Sequence, residues 1–270
     1  MTSFEAVVLG IVQGVTEFLP ISSTAHLRIV PAFLGWQDAG AAFTAVLQLG
    51  SLLAVIGYFL PDLVRMLRAA VRALTDRSRP PEPAARELGY LSVGTLPVGV
   101  AGIAFKHAVE GSLRSLWVIA IAMIVVGLAL AAVERIARRD RTFEEITLRD
   151  AVLIGCAQAL ALVPGVSRSG ITLLAALALG LRREAAARFS FLLSVPAVAA
   201  AGIFELPKVL RARDVSGSAL AIGLIAAAIS GYASIAWLLR FLRVRSTIPF
   251  VVYRVALGGV LIFLLATGRL

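Results

Sequence analysis

Long uncharged stretches dominate the hydrophobic pattern of this 270-residue chain. Four stretches contain no Asp, Glu, Lys or Arg, namely 42–60, 88–105, 115–133 and 215–239. A helix needs about 20 apolar residues to cross a bilayer, so each stretch predicts a transmembrane helix. Two more, 189–204 and 246–268, meet this criterion if a few polar positions are allowed. The pattern predicts an all-α polytopic membrane protein with about six transmembrane helices.

Two further apolar segments are interrupted in the middle by short polar motifs. Residues 4–18 and 24–35 flank Pro20-Ile-Ser-Ser, and residues 151–162 and 170–181 flank Pro164-Gly-Val-Ser-Arg-Ser-Gly. Each piece has only about a dozen residues, which is too short to span a bilayer. Both segments are therefore predicted to form re-entrant hairpins. Irregular backbone at membrane depth needs protein or a water-filled cavity around it, so we expect the two breaks to meet near the midplane.

Basic residues are concentrated on one side of the predicted membrane. Segments 61–87, 134–150, 182–188 and 240–247 carry six, five, three and three arginines, seventeen in all. The opposite loops and the C-terminus carry six basic residues, among them Lys106 and Arg213. Because positively charged loops stay in the cytoplasm, the arginine-rich side is predicted to be cytoplasmic and both termini external. Segment 61–87 is expected to be a surface loop that begins with an amphipathic helix around Arg65, Arg68 and Arg72.

Composition agrees with this class, since only 16% of the residues are charged, compared with about 25% in soluble domains. The net charge of +10 lies in the loops and does not predict nucleic-acid binding. The single cysteine, Cys156, lies in an apolar stretch and is predicted to pack in the core.

The two broken segments follow one pattern. Gly10-Ile-Val-Gln13 aligns with Gly155-Cys-Ala-Gln158, and the following break aligns too, at an offset of 144 or 145 residues. The eight residues from Phe43 align with the eight from Phe189 at an offset of 146. The loop charges give the two copies opposite directions, which predicts an inverted-topology repeat. The first repeat is placed at about 1–133 and the second at about 150–270, with a cytoplasmic connector at about 134–149.

The second break has the composition of an anion site. Ser167 and Arg168 precede a helix start, where free N–H groups and the positive end of the dipole attract anions. Gly170 permits close backbone approach, Ser169 can cap the helix, Thr172 lies in the first turn, and Arg168 offers a forked donor for phosphate. Ordinary capping by serine and glycine is the competing interpretation, but it does not explain a buried arginine.

The first break adds hydroxyls and an imidazole. Ser22, Ser23 and Thr24 open a predicted helix, and His26 is one of only two histidines in the chain. Together with Glu17 and Arg168, His26 is an ionisable residue at membrane depth, where a functional role is the default expectation. Mutual neutralisation of Glu17 and Arg168 across the hairpins is the alternative.

Gln13 and Glu17 are four residues apart, so they face the same side of one helix. A carboxylate and an amide oxygen suit a hard divalent cation that substrate phosphates also bind. Gln48 and Ser51 are expected either to line the same cavity or to pack between helices.

At these residues the sequence resembles the undecaprenyl pyrophosphate phosphatase family, known as BacA or UppP. The resemblance covers essentially the whole chain. Its motifs read Gln13-Gly-Val-Thr-Glu-Phe-Leu-Pro-Ile-Ser-Ser-Thr-Ala-His26, Gln48-Leu-Gly-Ser51 and Pro164-Gly-Val-Ser-Arg-Ser-Gly-Ile-Thr172.

The resemblance implies hydrolysis of the C55 lipid diphosphate to undecaprenyl phosphate and inorganic phosphate with a divalent metal, Mg²⁺ or Ca²⁺, which recycles the cell-wall carrier lipid. It implies a multi-pass protein of the bacterial plasma (inner) membrane, with a site open to the periplasmic side. Besides the polyprenyl pyrophosphate and membrane lipids, it implies bacitracin resistance, because bacitracin competes by binding the substrate. A homodimer is one option for the assembly.

By motif, Glu17 resembles a metal- or phosphate-site carboxylate, Arg168 a phosphate clamp and Ser23 a nucleophile. The nucleophile stays open between Ser23 with His26 as general base, His26 itself, and a metal-bound water near Glu17. Gln13 departs from a family position at which many members carry a second glutamate, which puts a two-carboxylate metal site in doubt. A membrane transporter of phosphate or a lipid phosphate is the alternative from another class, since such carriers share inverted repeats and broken helices.

Overall fold

The computed structural model describes residues 1–38, 40–76, 78, 80, 82–105, 107–108, 111–212 and 216–269. Of the basic loop residues considered above, Arg77, Arg79, Lys106 and Arg213 lie outside this set.

Helices form nearly all of the described chain, apart from one isolated bridge between Arg141 and Leu181. They are α1 (Ser3–Phe18), α2 (Ser23–Leu34), α3 (Gly40–Tyr58), α4 (Leu60–Thr75), α5 (Pro83–Ala104), α6 (Leu116–Ile136), α7 (Leu148–Ala159), α8 (Arg168–Ala178), α9 (Arg183–Ala212), α10 (Gly217–Val244) and α11 (Ile248–Ala266). Five of these helices, α5, α6, α9, α10 and α11, are long and apolar enough to cross a membrane, and the bent pair α3–α4 gives a sixth candidate. The predicted all-α polytopic fold is confirmed.

Helix α4 is the amphipathic helix predicted after the first full span. It meets α3 at an angle of 76° and buries Met66 and Ala69 while Arg65 and Arg68 face outward. Pro61 occupies the first turn, where a missing N–H costs nothing. Segment 61–87 is therefore mainly helical rather than the predicted loop, because apolar residues recur along α4 at helical spacing.

Both broken segments form hairpins of two short helices, α1–α2 and α7–α8. Their first helices begin in the same way. Thr2 and Glu5 form a capping box at α1, and Thr147 and Asp150 form one at α7, 145 residues later. In a capping box the two side chains satisfy N–H groups that the helix leaves free. The shared cap extends the internal repeat to the first residues of each copy, while the outer limits of the repeats stay a prediction.

Helix packing follows the same two-fold relation. Helix α1 packs on α10 and α7 packs on α5, while α3 pairs with α9 and α6 with α11. Gly10 lies against the backbone of Gly223, and Gly155 against that of Gly94. Because successive helix residues point about 100° apart, the side of α7 that presents Gly155 to α5 turns the neighbouring Cys156 outward. Cys156 is exposed, and its predicted place in the core is wrong.

The connector between the two halves anchors the second hairpin. The backbone of Arg141 exchanges hydrogen bonds with Gly180 and Arg182, next to the end of α8. Its guanidinium donates to the Asp150 carboxylate at 2.6 Å and to the Leu179 carbonyl at 2.8 Å. One arginine thus ties the start of α7 to the end of α8.

Candidate active site

Two strained serines shape the breaks in the hairpins. Ser22 and Ser167 have φ angles of 76° and 73°, and no other non-glycine residue in the described ranges has a positive φ. Each hydroxyl caps the following helix, since Ser22 accepts from Ala25 N–H at 3.4 Å and Ser167 from Gly170 N–H at 3.0 Å. The strained turn starts α2 and α8 abruptly, and so presents the N–H groups of both helix starts at the breaks.

Glu17 is the centre of the polar contacts at the first break. Its Oε2 accepts a hydrogen bond from the Ser23 hydroxyl at 2.5 Å and one from the Gln13 amide at 2.8 Å. Its Oε1 accepts from the Arg168 guanidinium at 3.0 Å, and the residue is only 5% exposed. Burying a carboxylate without such partners would be costly. The predicted neutralisation by Arg168 is present, together with a serine contact that makes the carboxylate more than a counter-ion.

Arg168 and its neighbours join the second break to the first. Arg168 also donates to the Ser190 carbonyl at 3.3 Å, and the Ser190 hydroxyl lies 2.5 Å from that of Thr172. Ser169 donates to the carbonyl of Leu19, which belongs to the other hairpin, at 3.0 Å. The two breaks therefore meet, as the sequence predicts.

A cavity of about 220 Å³ lies where the breaks meet. Seven of the predicted site residues line it: Glu17, Ser22, Ser23, Thr24, Gln48, Ser167 and Arg168. Gln13, His26, Ser169, Gly170 and Thr172 are not among the lining residues. Ser51 is fully buried, accepts from the Gln13 amide at 3.2 Å and is not among the lining residues, so of its two alternatives the structure shows packing between helices. Its side chain faces α1 because α3 packs directly on that helix.

His26 forms no hydrogen bond with Ser23. Its Nδ1 lies 2.7 Å from the Ser22 carbonyl, which can only accept, so Nδ1 carries the proton. Its Nε2 then accepts from the Tyr253 hydroxyl at 2.7 Å, and the two rings stack. The predicted Ser23–His26 pair is therefore not found. Ser23 bonds to Glu17 instead because the strained turn at Ser22 directs its side chain toward α1.

Arg254, on α11, is a site residue that the sequence reading missed. It is fully buried and donates to the carbonyl oxygens of Pro20 at 3.1 Å, Gly165 at 2.9 Å and Val166 at 3.1 Å. These carbonyls belong to both breaks, so one side chain fastens them together. The sequence feature that could have identified Arg254 is its position as a lone arginine in the apolar stretch 246–268. The cavity residues Thr44 and Gln158 were missed as well.

Few side chains at the site could act as metal ligands. The described residues contain no group of three or more His, Cys, Asp or Glu side chains that could hold an ion. Gln13 Oε1 is nevertheless buried without a hydrogen-bond partner, since the amide nitrogen is the atom that faces Glu17. A free amide oxygen beside a carboxylate fits a cation that takes its other ligands from substrate phosphates. These residues therefore fit a metal site that substrate phosphates complete, and they do not provide a full set of ligands by themselves.

The chain is similar to known proteins over nearly its whole length. The family described as bacitracin resistance protein BacA matches residues 6–260. The undecaprenyl-diphosphatase of Myxococcus xanthus is 54% identical over 271 residues, covering 100% of this chain and 91% of the relative. That of Gloeobacter violaceus is 52% identical over 275 residues, covering 99% and 93%. Undecaprenyl-diphosphatase 2 of Streptomyces coelicolor is 45% identical, covering 100% and 97%.

Proposed function

The chain belongs to the BacA family, and we propose that it is an undecaprenyl-diphosphatase that removes the terminal phosphate of the lipid diphosphate. The observation that carries this function is the convergence of Ser23, Glu17 and Arg168 in one cavity at the meeting point of two helix starts. Relatives with this activity in their names match over nearly their full length. The reaction yields undecaprenyl phosphate and inorganic phosphate.

Ser23 is the proposed nucleophile, and Glu17 accepts its proton. The hydroxyl already donates to Glu17 Oε2 at 2.5 Å, so the proton acceptor is in place before attack. Ser23 Oγ bonds to the terminal phosphorus while the bond from that phosphorus to the bridging oxygen breaks, which releases undecaprenyl phosphate. Glu17 passes the serine proton to the departing phosphate and is a carboxylate again. Water then attacks the phosphorus of the phosphoserine while the bond to Ser23 Oγ breaks, with Glu17 taking a proton from the water and returning it to Ser23 Oγ, and inorganic phosphate is released. Together the two steps regenerate the Ser23 hydroxyl and the Glu17 carboxylate.

Positive charge around the cavity favours the diphosphate and its transition state. Arg168 offers several N–H donors in one plane, of which only some are used by Glu17 and Ser190. The starts of α2 and α8 contribute N–H groups and dipole charge from opposite hairpins. Donors that are held in fixed positions stabilise developing charge without reorganisation.

His26 acts as a positioning residue in this proposal. Its contacts with the Ser22 carbonyl and Tyr253 hold the turn from which Ser23 projects. Both ring nitrogens are engaged, and His26 lies outside the cavity lining, so direct attack by His26 has less geometric support than attack by Ser23.

A divalent cation, Mg²⁺ or Ca²⁺, is part of the proposal. The Glu17 carboxylate and Gln13 Oε1 would hold it together with phosphate oxygens, and it would supply charge neutralisation when bound. Because the protein offers a single carboxylate, we expect Gln13→Glu to tighten the metal requirement and excess chelator to abolish phosphate release.

The cavity is proposed to open to the outer face of the bacterial plasma membrane. Its lining includes Thr44 near the start of α3 and Arg114 just before α6, both on the side opposite the arginine-rich connectors. A lipid diphosphate would therefore present its headgroup from the external leaflet.

Phosphate release from undecaprenyl diphosphate by the purified protein in detergent tests the function. Wild type should turn over, and Ser23→Ala and Glu17→Gln should each lose about 10³-fold or more, because the nucleophile and its base act as one unit. Arg168→Lys should also be severely impaired, since an ammonium cannot reproduce the fork.

Ser92→Ala, an exposed serine on α5, is the matched control and should keep wild-type turnover. Near-normal turnover by folded Ser23→Ala would exclude serine as the nucleophile. Lipid binding by wild type without phosphate release would favour a transporter instead.

A further inference from the structure

The internal repeat gives the protein two equivalent glutamines in different surroundings. Gln13 on α1 corresponds to Gln158 on α7, 145 residues later. The amide of Gln13 donates to Glu17 and to Ser51. At offsets of 145 and 146 residues, the positions equivalent to these partners hold Leu162 and Ala197. The second copy has kept the amide and replaced both of its partners with apolar side chains.

Gln158 is consequently a buried amide without a protein partner. Its side chain is fully buried, and neither Nε2 nor Oε1 has a hydrogen-bond partner among the described residues. A buried polar group that lacks a partner is strongly unfavourable, so native proteins seldom retain one without a use. Gln158 lines the same cavity as Ser23 and Arg168.

The packing around Gln13 is also tighter than the packing around Gln158. Helix α1 packs directly against α3, which closes the space around Gln13. The equivalent helices α7 and α9 make no contact of comparable extent within the described chain, and both line the cavity. Leu162, from the short turn after α7, and Ala197, from α9, both belong to this lining. The gap between α7 and α9 is thus the departure from two-fold symmetry that makes room for a ligand.

We propose that Gln158 binds the diphosphate of the substrate by donating its amide N–H groups to phosphate oxygens. The inference rests on the proposed function and adds a substrate-binding residue from the second repeat. The ligand is expected to supply acceptors, because the other polar side chains of the lining include two arginines and several serine and threonine hydroxyls, all able to donate to an anion, and Gln48, whose amide can donate as well. Glu17 is the exception, and in the ligand-free protein its carboxylate accepts hydrogen bonds from Ser23, Gln13 and Arg168.

Gln158→Met tests the proposal, because methionine has a similar length and no hydrogen-bonding amide. We expect the KM for undecaprenyl diphosphate to rise by tenfold to a hundredfold. We also expect the ligand-free protein to be at least as resistant to heat as wild type, since an unpartnered buried amide is removed. Gln37→Met makes the same chemical change at an exposed loop position and should leave both measurements unchanged.

Gln158→Glu is the second variant, with nearly the same shape and a carboxylate that repels the diphosphate. Its KM should rise further than that of Gln158→Met. A KM within twofold of wild type in either folded variant would overturn the proposal. Failure of both variants to fold would overturn it too, because the amide would then be needed inside the protein.

Wild-type activity separates this inference from the proposed function. If wild type releases no phosphate, the function fails, and heat stabilisation by a methylene-bridged lipid diphosphate is then compared between wild type and Gln158→Met. Equal stabilisation of the two proteins would overturn the role of Gln158 independently.

Discussion

At the scale of single residues, Arg254 has an unusual set of contacts. Besides the three carbonyls of the breaks, it donates to the Met123 carbonyl at 3.0 Å and to the Ala122 carbonyl at 3.3 Å. No carboxylate contacts it in the part of the chain that the structure describes. The planar guanidinium is suited to this role, because its five N–H donors point in fixed directions toward separate acceptors. Its charge also lies behind two helix starts that are proposed to bind an anion.

Arg254→Lys is therefore expected to fold and to lose function. An ammonium has three donors at one point and cannot reach the carbonyls of Pro20 and Gly165 together. We expect turnover of undecaprenyl diphosphate to fall by about tenfold to a hundredfold, as one misplaced element of a site typically causes. Arg240→Lys, at an exposed position on α10, is the control. Unchanged turnover in folded Arg254→Lys would show that the carbonyl contacts do not position the site.

The contrast between Arg254 and Ser167 shows what the sequence could reveal. The residues of both breaks were predictable because the same polar motif occurs twice in register, 144 or 145 residues apart. Arg254 stands alone in an apolar helix, and its partners are backbone carbonyls, which carry no signature in the sequence. The Glu17–Ser23 contact was equally hidden, since it spans six residues across a strained turn whose φ angle no residue type dictates.

At the scale of helices, close glycine contacts hold the arms of the hairpins. A Cβ atom on Gly155 would lie 2.2 Å from the carbonyl oxygen of Gly94, and one on Gly10 would lie 2.4 Å from that of Gly223. Small residues allow helix backbones to approach closely within a membrane. Each hairpin arm is thereby fixed against a full-length helix from the other half of the chain. The position of each break depends on this contact.

Gly155→Ala is expected to destabilise the protein and lower its activity. The added methyl group meets backbone rather than a flexible side chain, so α7 and α5 must separate, with a cost of about 1–3 kcal/mol or more. Size-exclusion chromatography after graded heating measures the loss of folded protein. Gly99→Ala on α5, where an added Cβ meets nothing within 4 Å, should be neutral or stabilising. Equal heat resistance of the two variants would show that the α5–α7 contact is not tight.

The helices themselves were largely readable from hydrophobic runs. The predicted breaks after residues 18 and 162 agree with the ends of α1 and of the short turn that follows α7. The segment after Leu60 was harder to read, because its arginines and the proline-rich stretch 79–83 favour a loop while its apolar residues recur at helical spacing. Packing distances between α1 and α10 could not be inferred, since they depend on which glycines face each other.

At the scale of the whole molecule, the two halves have similar folds but contribute different residues to the cavity. The first hairpin supplies Ser23 and Glu17, and the second supplies Arg168 and Gln158. The two sets meet in one cavity, and the tight contact of α1 with α3 contrasts with the gap between α7 and α9. One half is closed around its glutamine and the other is open, which places one cavity on one side of the protein.

The orientation of this cavity is open to a direct test. The seventeen arginines of the four connectors should keep that side in the cytoplasm, so the cavity should face outward. In a Cys156→Ala background, Asp140→Cys should not react with a membrane-impermeant maleimide in whole cells, because Asp140 is exposed on the connector of the arginine-rich side. Gln37→Cys, in the exposed loop between α2 and α3, should react. Both positions should react after the cells are permeabilised, which controls for accessibility. Labelling of position 140 but not position 37 in intact cells would reverse the orientation and place the cavity on the cytoplasmic side.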